Sequence, residues 1–308
     1  MNLTSEMDMQ RPADFLPTQA YFDRTTESFG RASATIAFGG LRMRLEGLGD
    51  RQSDLVLRRF AAFLQEGASE ADGTVALRRA GVDGFLRMRT DGLAESYRLG
   101  MRLEGSRLEI WSYEFAGRVN WSDHRAVLAV VSSPQTRFAR GLENFLRVLT
   151  ASIVLERGGF LLHAAGIVRG GRAYIFFGPS GSGKTTVTDL SAGDMVLSDD
   201  LTLVVRRAGR FEAAGIPFGL AHHKVPSTRE SFPIASLNRL IQSPDLHRVP
   251  LTGARALAQV SACLPFVMRD GRQASKAMEN VGRALAEIPT YELRFRMDSS
   301  FWGLVQEV

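Results

Sequence analysis

Apolar and polar positions alternate every two residues through much of the first half of the chain. Such periods occur at 41–46, 74–79, 84–89, 97–103, 107–115 and 127–131. A two-residue period is typical of strands that bury one face. Turn-like separators such as GVDG and LEGS lie between these segments, and SDLVLRRFAAFLQE has a helical period. The pattern predicts an antiparallel meander with a helix packed on one side.

The pattern changes near residue 135. Between 138 and 157, apolar residues recur at helical spacing and predict a long amphipathic helix. The segment GGFLLHAAGIVRGGRAYIFFGPSGSGKTT then indicates a strand, an Arg-Gly-Gly turn, the buried strand AYIFF and a glycine-rich loop. Further on, QASKAMENVGRALAEI predicts a helix, YELRFRM a strand and SSFWGLVQEV a final helix.

The composition restricts the classes of function. The 308 residues are 44% hydrophobic, enough for a full core, and no apolar run approaches the length of a membrane span. The first residues resemble neither a signal peptide nor a transit peptide, so we expect a cytoplasmic protein without membrane partners. Cys263 is the sole cysteine, which excludes an intramolecular disulfide and indicates a small buried apolar residue.

The net charge of +5 comes from arginines that are scattered along the chain. A nucleic-acid groove would need a basic run or stripe with interleaved aromatic residues. Because the densest basic pairs fall in three separate segments, we expect no nucleic-acid partner.

The glycine-rich loop matches G-x-x-x-x-G-K-[ST] at Gly178, Gly183, Lys184 and Thr185. Glycines let successive backbone amides turn inward around phosphate oxygens, and the following helix adds the positive end of its dipole. In such loops the lysine reaches the outer phosphates and the hydroxyl after it ligates magnesium. The predicted nucleotide-binding residues are Gly178, Pro179, Ser180, Gly181, Ser182, Gly183, Lys184, Thr185 and Thr186.

Two adjacent aspartates follow the loop closely. Asp199 and Asp200 lie fifteen and sixteen residues after Lys184, at the end of MVLSDD. We expect the strand MVLSDDLTLVV to lie next to the loop strand and to bend at Ser198–Asp200, since neighbours on a regular strand face opposite sides. One aspartate would then bind magnesium and the other would contact an acceptor hydroxyl.

HAAGIVRGGRAYIFFGPSGSGKTT followed by VLSDDLTLV resembles the catalytic domain of the HPr kinase/phosphorylases. It is also similar, more remotely, to ATP-dependent phosphoenolpyruvate carboxykinases. The resemblance covers residues 150–308 and extends to divergent bacterial HPr-kinase-like proteins, which include serine kinases of lasso-peptide precursors. The arginine-and-acid signature that closes the HPr site has no counterpart here, so the resemblance does not imply HPr as the acceptor.

The resemblance implies roles for single residues. Gly178–Thr186 would bind ATP, Asp199 would be the general base and Asp200 a magnesium ligand, with Thr185. His163 matches the family's histidine ahead of the loop strand, so it would lie near the site, with a packed core histidine as the alternative. Lys184 and Asp199 are thus the catalytic candidates, with His163.

We therefore expect an α/β (α+β) protein in three parts. Residues 1–30 form an N-terminal arm, 31–135 an antiparallel β-rich recognition domain, and 136–308 an HPr-kinase-like nucleotide-binding domain. The predicted function is Mg²⁺- and ATP-dependent phosphorylation of a hydroxyl, foremost a serine on a peptide or small protein. Two alternatives are a nucleotide-sensing binding module without transfer and a kinase of small-molecule hydroxyls. Because relatives often form hexamers, a homo-oligomer also stays open.

Residues 215–233, rich in glycine, proline and polar groups, have no strong period. They contain His222, His223, Lys224 and Arg229. Long irregular segments often act as lids or binding loops. The segment is either a clamp for acceptor or nucleotide or an ordinary surface loop, and the sequence leaves open whether it or the N-terminal domain binds the acceptor.

Overall fold

A computed structural model describes residues 19–66, 70–80, 85–86, 98–218, 228–269 and 271–306. The protein is a mixed α/β chain built on two large sheets, in keeping with the expected α+β class. The chain divides into two compact units. The first runs to Leu149 without Phe38–Gly40, and the second contains Phe38–Gly40 and Thr150 onward.

The first unit is built around one sheet with the strand order β3-β1-β2-β4-β8-β7-β6-β5. Its strands are β1 Ala32–Phe38, β2 Leu41–Leu48, β3 Leu64–Gln65, β4 Gly73–Ala80, β5 Gly100–Glu104, β6 Arg107–Trp111, β7 Phe115–Asn120 and β8 Arg125–Val131. Its helices are α1 Gln19–Arg24, α2 Asp50–Arg59 and most of α3 Gln135–Glu156.

This sheet is not the expected antiparallel meander. β2 pairs with β4 in parallel, and β4 pairs with β8 in parallel. The prediction of an all-antiparallel sheet is therefore wrong. The chain passes through α2 between β2 and β4, and such a crossover returns the next strand in the same direction. Alternation of apolar residues reports a half-buried face and does not report strand direction.

Several arginines of this unit pair with buried glutamates. Glu109 lies between Arg102 and Arg118, whose Nη2 is 2.9 Å from a Glu109 carboxylate oxygen. Glu143 is 4% exposed and accepts hydrogen bonds from Arg59. Part of the scattered positive charge is thus compensated inside the unit by local ion pairs.

The second unit carries the glycine-rich loop. Its strands are β9 Phe160–Arg169, β10 Arg172–Phe177, β11 Met195–Ser198, β12 Leu201–Arg207, β13 Arg210–Gly215, β14 Ser231–Gln242, β15 His247–Pro250 and β16 Thr290–Phe295. Its helices are α4 Lys184–Asp189, α5 Gly253–Ser261, α6 Gly271–Glu287 and α7 Phe301–Gln306.

The second sheet follows the order β10-β9-β12-β13-β14-β16-β15, and β11 pairs with β9. β10 also pairs with β14 in parallel, so the pairings of β10, β9, β12, β13 and β14 close into a circuit. The strand segment that carries the aspartates was expected beside the loop strand, and this prediction is wrong. β9 lies between them, because β10 folds back on β9 as a hairpin and uses its other edge for β14.

An aromatic cluster supports the loop strand from one face of this sheet. Phe176 of β10 packs edge-on against Phe301 and Trp302 of α7 at ring distances of 5.8 and 5.6 Å. Phe295 of β16 and Val187 of α4 belong to the same buried cluster. The C-terminal helix therefore fixes both the loop strand and the helix that follows the loop.

Among the described residues, no helix combines the length and the apolar content needed to cross a bilayer.

Candidate functional site

The glycine-rich loop occupies residues 178–183, between the end of β10 and the start of α4. Gly181 and Gly183 have φ angles of 79° and 105°, in the left-handed region that other residues rarely adopt. A Cβ atom on Gly183 would lie 2.6 Å from Cζ of Phe295. Both backbone conformation and space therefore require glycine at position 183.

Several backbone amides of the loop have no partner among the described residues. Ser182 N donates to Pro179 O at 3.1 Å, and Gln242 Nε2 donates to Gly181 O at 2.9 Å. In contrast, the amides of Gly181, Gly183, Lys184 and Thr185 donate no hydrogen bond to any described residue. Unpaired amides gathered in one loop form an anion-binding concavity.

The Lys184 side chain is held inside this loop. It is 7% exposed, and its Nζ donates to Gly178 O at 3.0 Å and to Pro179 O at 3.1 Å. Burial lowers the pKa of Lys184, while Cys263 and Asp200 act in the opposite direction. The ammonium is thus poorly solvated, and a phosphate anion would stabilise it.

The hydroxyl groups of the loop differ in their surroundings. Ser182 is 8% exposed, and its Oγ has no hydrogen-bond partner among the described residues. Thr185 is exposed, Thr186 is half-buried, and Pro179 and Ser180 are exposed. A buried loop hydroxyl without a partner among the described residues fits an anionic ligand that would accept a hydrogen bond from it.

The two aspartates lie at a break between strands. β11 ends at Ser198 and β12 begins at Leu201, and both pair with β9. Ser198 Oγ accepts hydrogen bonds from Asp200 N at 3.0 Å and from Leu201 N at 2.9 Å, which fixes the bend. The predicted bend at Ser198–Asp200 is confirmed.

The acidic pair is enclosed, and Asp200 lies near the lysine. Asp199 is 4% exposed, and the Asp200 side chain is 13% exposed. His163 Nε2 is 3.3 Å from Asp200 Oδ1, and Asp200 interacts electrostatically with Lys184. The structure therefore brings together three predicted site residues that lie on different segments, namely His163, Lys184 and Asp200.

Cys263 is buried, as expected, and it also contacts the loop. Its thiol receives a backbone hydrogen bond from Gly178, and its carbonyl accepts one from His163 N at 2.8 Å. Burial raises the pKa of the Cys263 thiol, and the nearby Lys184 partly offsets this. The sulfur therefore contacts the first glycine of the loop.

We expect Cys263 to report on occupation of the loop. Its raised pKa and burial predict slow alkylation by iodoacetamide at pH 7, since the thiolate is the reactive species. Under the nucleotide-binding prediction made from the sequence, bound MgATP should slow the reaction about 10-fold by shielding the thiol beside Gly178. The chain has one cysteine, so intact-mass spectrometry measures this site alone. Equal rates with and without MgATP would contradict the expectation.

The residues that could bind a metal are few. The described residues contain no group of three or more His, Cys, Asp or Glu placed to hold a metal ion. Asp200 and the exposed Thr185 hydroxyl are the residues that would hold a magnesium ion shared with a nucleotide's phosphates, since Mg²⁺ takes few protein ligands in such sites.

Residues 219–227 of the irregular segment at 215–233 lie outside the described residues. They include His222, His223 and Lys224. Arg229 is described, and its carbonyl accepts a hydrogen bond from Gly39 N at 3.2 Å. The clamp hypothesis for this segment stays a prediction.

Two residues of β14, Arg239 and Gln242, lie beside the loop and were missed from the sequence. Gln242 binds a loop carbonyl, and Arg239 is in register with Phe177. Their position depends on the parallel pairing of β14 with β10, for which the sequence carries no local signal.

Comparison with known protein families gives a match over the second half of the chain. The family model described as SynChlorMet cassette protein ScmC matches residues 144–308, more than half of the chain. This range contains the loop, both aspartates, His163 and β14. No curated protein matches the chain significantly.

Proposed function

This chain belongs to the family described as SynChlorMet cassette protein ScmC, and we propose that its site is that of a kinase. With Mg²⁺, it transfers the terminal phosphoryl group of ATP to a hydroxyl, foremost a serine on a peptide or small protein. The observation that carries the proposal is the set of unpaired loop amides around Lys184, with the Asp200 carboxylate near that lysine and Asp199 buried next to Asp200 in the chain. An HPr-kinase-like fold for the second unit and a cytoplasmic location are parts of the same proposal.

The loop would bind the phosphates of the nucleotide. Unpaired amides and the Ser182 hydroxyl donate to phosphate oxygens, and Lys184 exchanges its carbonyl acceptors for the outer phosphates. Asp200 and Thr185 would hold magnesium, which neutralises charge on the phosphates. His163 contacts Asp200 and orients its carboxylate, as outer partners of metal ligands commonly do.

Transfer would use Asp199 as the base. The acceptor oxygen forms a bond to the γ-phosphorus, while the bond from that phosphorus to the β–γ bridging oxygen breaks. The electron pair of the broken bond leaves with ADP, and the acceptor proton moves to Asp199. Burial of Asp199 at 4% exposure keeps competing water away from this carboxylate.

Incubation with Mg[γ-³²P]ATP and an array of serine- and threonine-containing peptides tests the proposal. We expect label on a subset of peptides and its release by alkaline phosphatase. Binding of MgATP without label on any peptide or on free serine would instead favour a nucleotide-sensing module. Absence of nucleotide binding would overturn both the kinase and the nucleotide-sensing hypotheses.

We expect Asp200→Asn to change the magnesium requirement. The amide is a weaker ligand for Mg²⁺ than a carboxylate, so the half-saturating Mg²⁺ concentration for ATP binding should rise on the order of 100-fold. His163→Gln should produce a smaller rise of about 10-fold, since it acts through Asp200. Titration calorimetry at fixed ATP and varied Mg²⁺ measures both, and an unchanged requirement in Asp200→Asn would remove this residue from the metal site.

A further inference from the structure

Arg239 lies at the strand position beside the phosphate-binding loop. β14 pairs in parallel with β10, and Arg239 is the register partner of Phe177, the residue before Gly178. Three residues later on β14, Gln242 binds the carbonyl of Gly181. Because the two strands run in the same direction, Arg239 lies near the end of β14 that adjoins the loop. Arg239 therefore emerges where a ligand of the loop would lie.

The terminal nitrogens of the Arg239 guanidinium are available as hydrogen-bond donors. Its Nε donates to Gln259 Oε1 at 2.6 Å, which orients the group. Its Nη1 is 3.6 Å from Glu292 Oε2, longer than a hydrogen bond. Neither terminal nitrogen makes a hydrogen bond to a described residue, and the side chain is 20% exposed. The group is thus oriented on one side and open on the other.

The charge of Arg239 is only partly compensated. Glu292, 4% exposed, is shared by three arginines. Arg255 Nη2 lies 2.5 Å from its Oε2, and Arg294 Nε lies 3.6 Å from its Oε1. Because Glu292 is shared with Arg255 and Arg294, it compensates the charge of Arg239 only in part.

Arg239 and Lys184 approach the loop around one side chain. The Cys263 thiol interacts electrostatically with both cations and is hydrogen-bonded to Gly178. Both cations therefore lie near the thiol that contacts the first glycine of the loop.

We propose that Arg239 binds the terminal phosphate of the nucleoside triphosphate held by the loop, so that the site distinguishes a triphosphate from a diphosphate. This inference rests on the proposed function, since it concerns the same bound nucleotide. Guanidinium groups suit phosphate because their planar donors can engage two oxygens at once. In a site that transfers this phosphoryl group, the same contact offsets charge on its oxygens.

Arg239→Gln tests the inference by binding alone. Affinities for MgATP and MgADP are measured by titration calorimetry in the unmodified chain and in the variant. We expect the ATP affinity to fall about 10- to 100-fold, the size expected for charge-assisted hydrogen bonds. The ADP affinity should change less than about 3-fold. Equal losses for both nucleotides, or no loss, would overturn the inference.

Arg283→Gln is the matched control. Arg283 lies on α6 in the same unit, pairs with Glu279 and not with Glu292, and is 49% exposed. The control should leave the ratio of ATP to ADP affinities unchanged. If Arg239→Gln does not fold, the ratio of ATP to ADP affinities is measured in Arg239→Lys instead. This variant keeps the charge and loses the bidentate geometry. An unaltered ratio in Arg239→Lys would then count against the inference. Failure of the unmodified chain to bind either nucleotide would overturn the proposed function instead.

Discussion

Asp199→Asn is expected to reduce phosphoryl transfer by about 10²- to 10⁴-fold, the usual contribution of a positioned general base. The substitution keeps the shape of the side chain and removes its ability to accept the acceptor proton. Since Asp199 is 4% exposed and is placed at the strand break, water cannot easily replace it as a base. The loop amides and Lys184 are untouched, so ATP affinity should change less than about 3-fold.

Transfer rates with a peptide labelled in the array, together with calorimetry for MgATP, measure the two effects separately. Asp189→Asn serves as the control, because Asp189 is an exposed carboxylate at the end of α4 in the same unit. It should leave both quantities near their original values. Normal transfer by Asp199→Asn would remove this residue from the proton path, whereas a parallel loss of ATP binding would assign it to nucleotide binding.

Local patterns allowed several elements from residue 135 onward to be predicted. The helix expected over 138–157 is α3, the helix expected over 273–288 is α6, and the strand YELRFRM is β16. The bend at Asp199 follows from two neighbours that cannot face the same side of a regular strand. These features depend on residues that are close in the sequence.

Features that depend on pairing between distant strands could not be predicted. Alternation in 41–46 and 74–79 gives the buried face of β2 and β4 but not their parallel direction. β9 separates the aspartates from the loop strand, because β14 occupies the other edge of β10. For the same reason, Arg239 in LNRLIQ has no sequence signal that connects it with the loop.

Gly183→Ala is expected to disable the loop. The residue has φ 105°, where a side chain costs about 1–2 kcal/mol. The added methyl group would also lie 2.6 Å from Cζ of Phe295, a buried ring. Overpacking of this kind costs about 1–3 kcal/mol. Relief of the contact would move the loop amides, so ATP affinity should fall at least about 100-fold.

Gly193→Ala is the matched control for the backbone cost alone. Gly193 has φ 95°, and a Cβ atom there would meet no atom within 4 Å. We expect a loss in the free energy of unfolding of about 1–2 kcal/mol and no change in ATP affinity. Urea unfolding and calorimetry provide both measurements, and an equal loss of ATP affinity in the two variants would show that the Phe295 contact is irrelevant.

Phe295→Leu allows the steric part to be isolated by a double-mutant cycle with Gly183→Ala. The smaller side chain removes the ring atoms that the methyl group added at position 183 would meet, although it leaves a cavity in the aromatic cluster. Because the two residues are in contact, their effects on the free energy of unfolding should not add. The double variant should be more stable than the sum of the single losses predicts by at least about 1 kcal/mol. Additive losses would mean that the left-handed backbone at Gly183, rather than the Phe295 ring, sets the requirement for glycine.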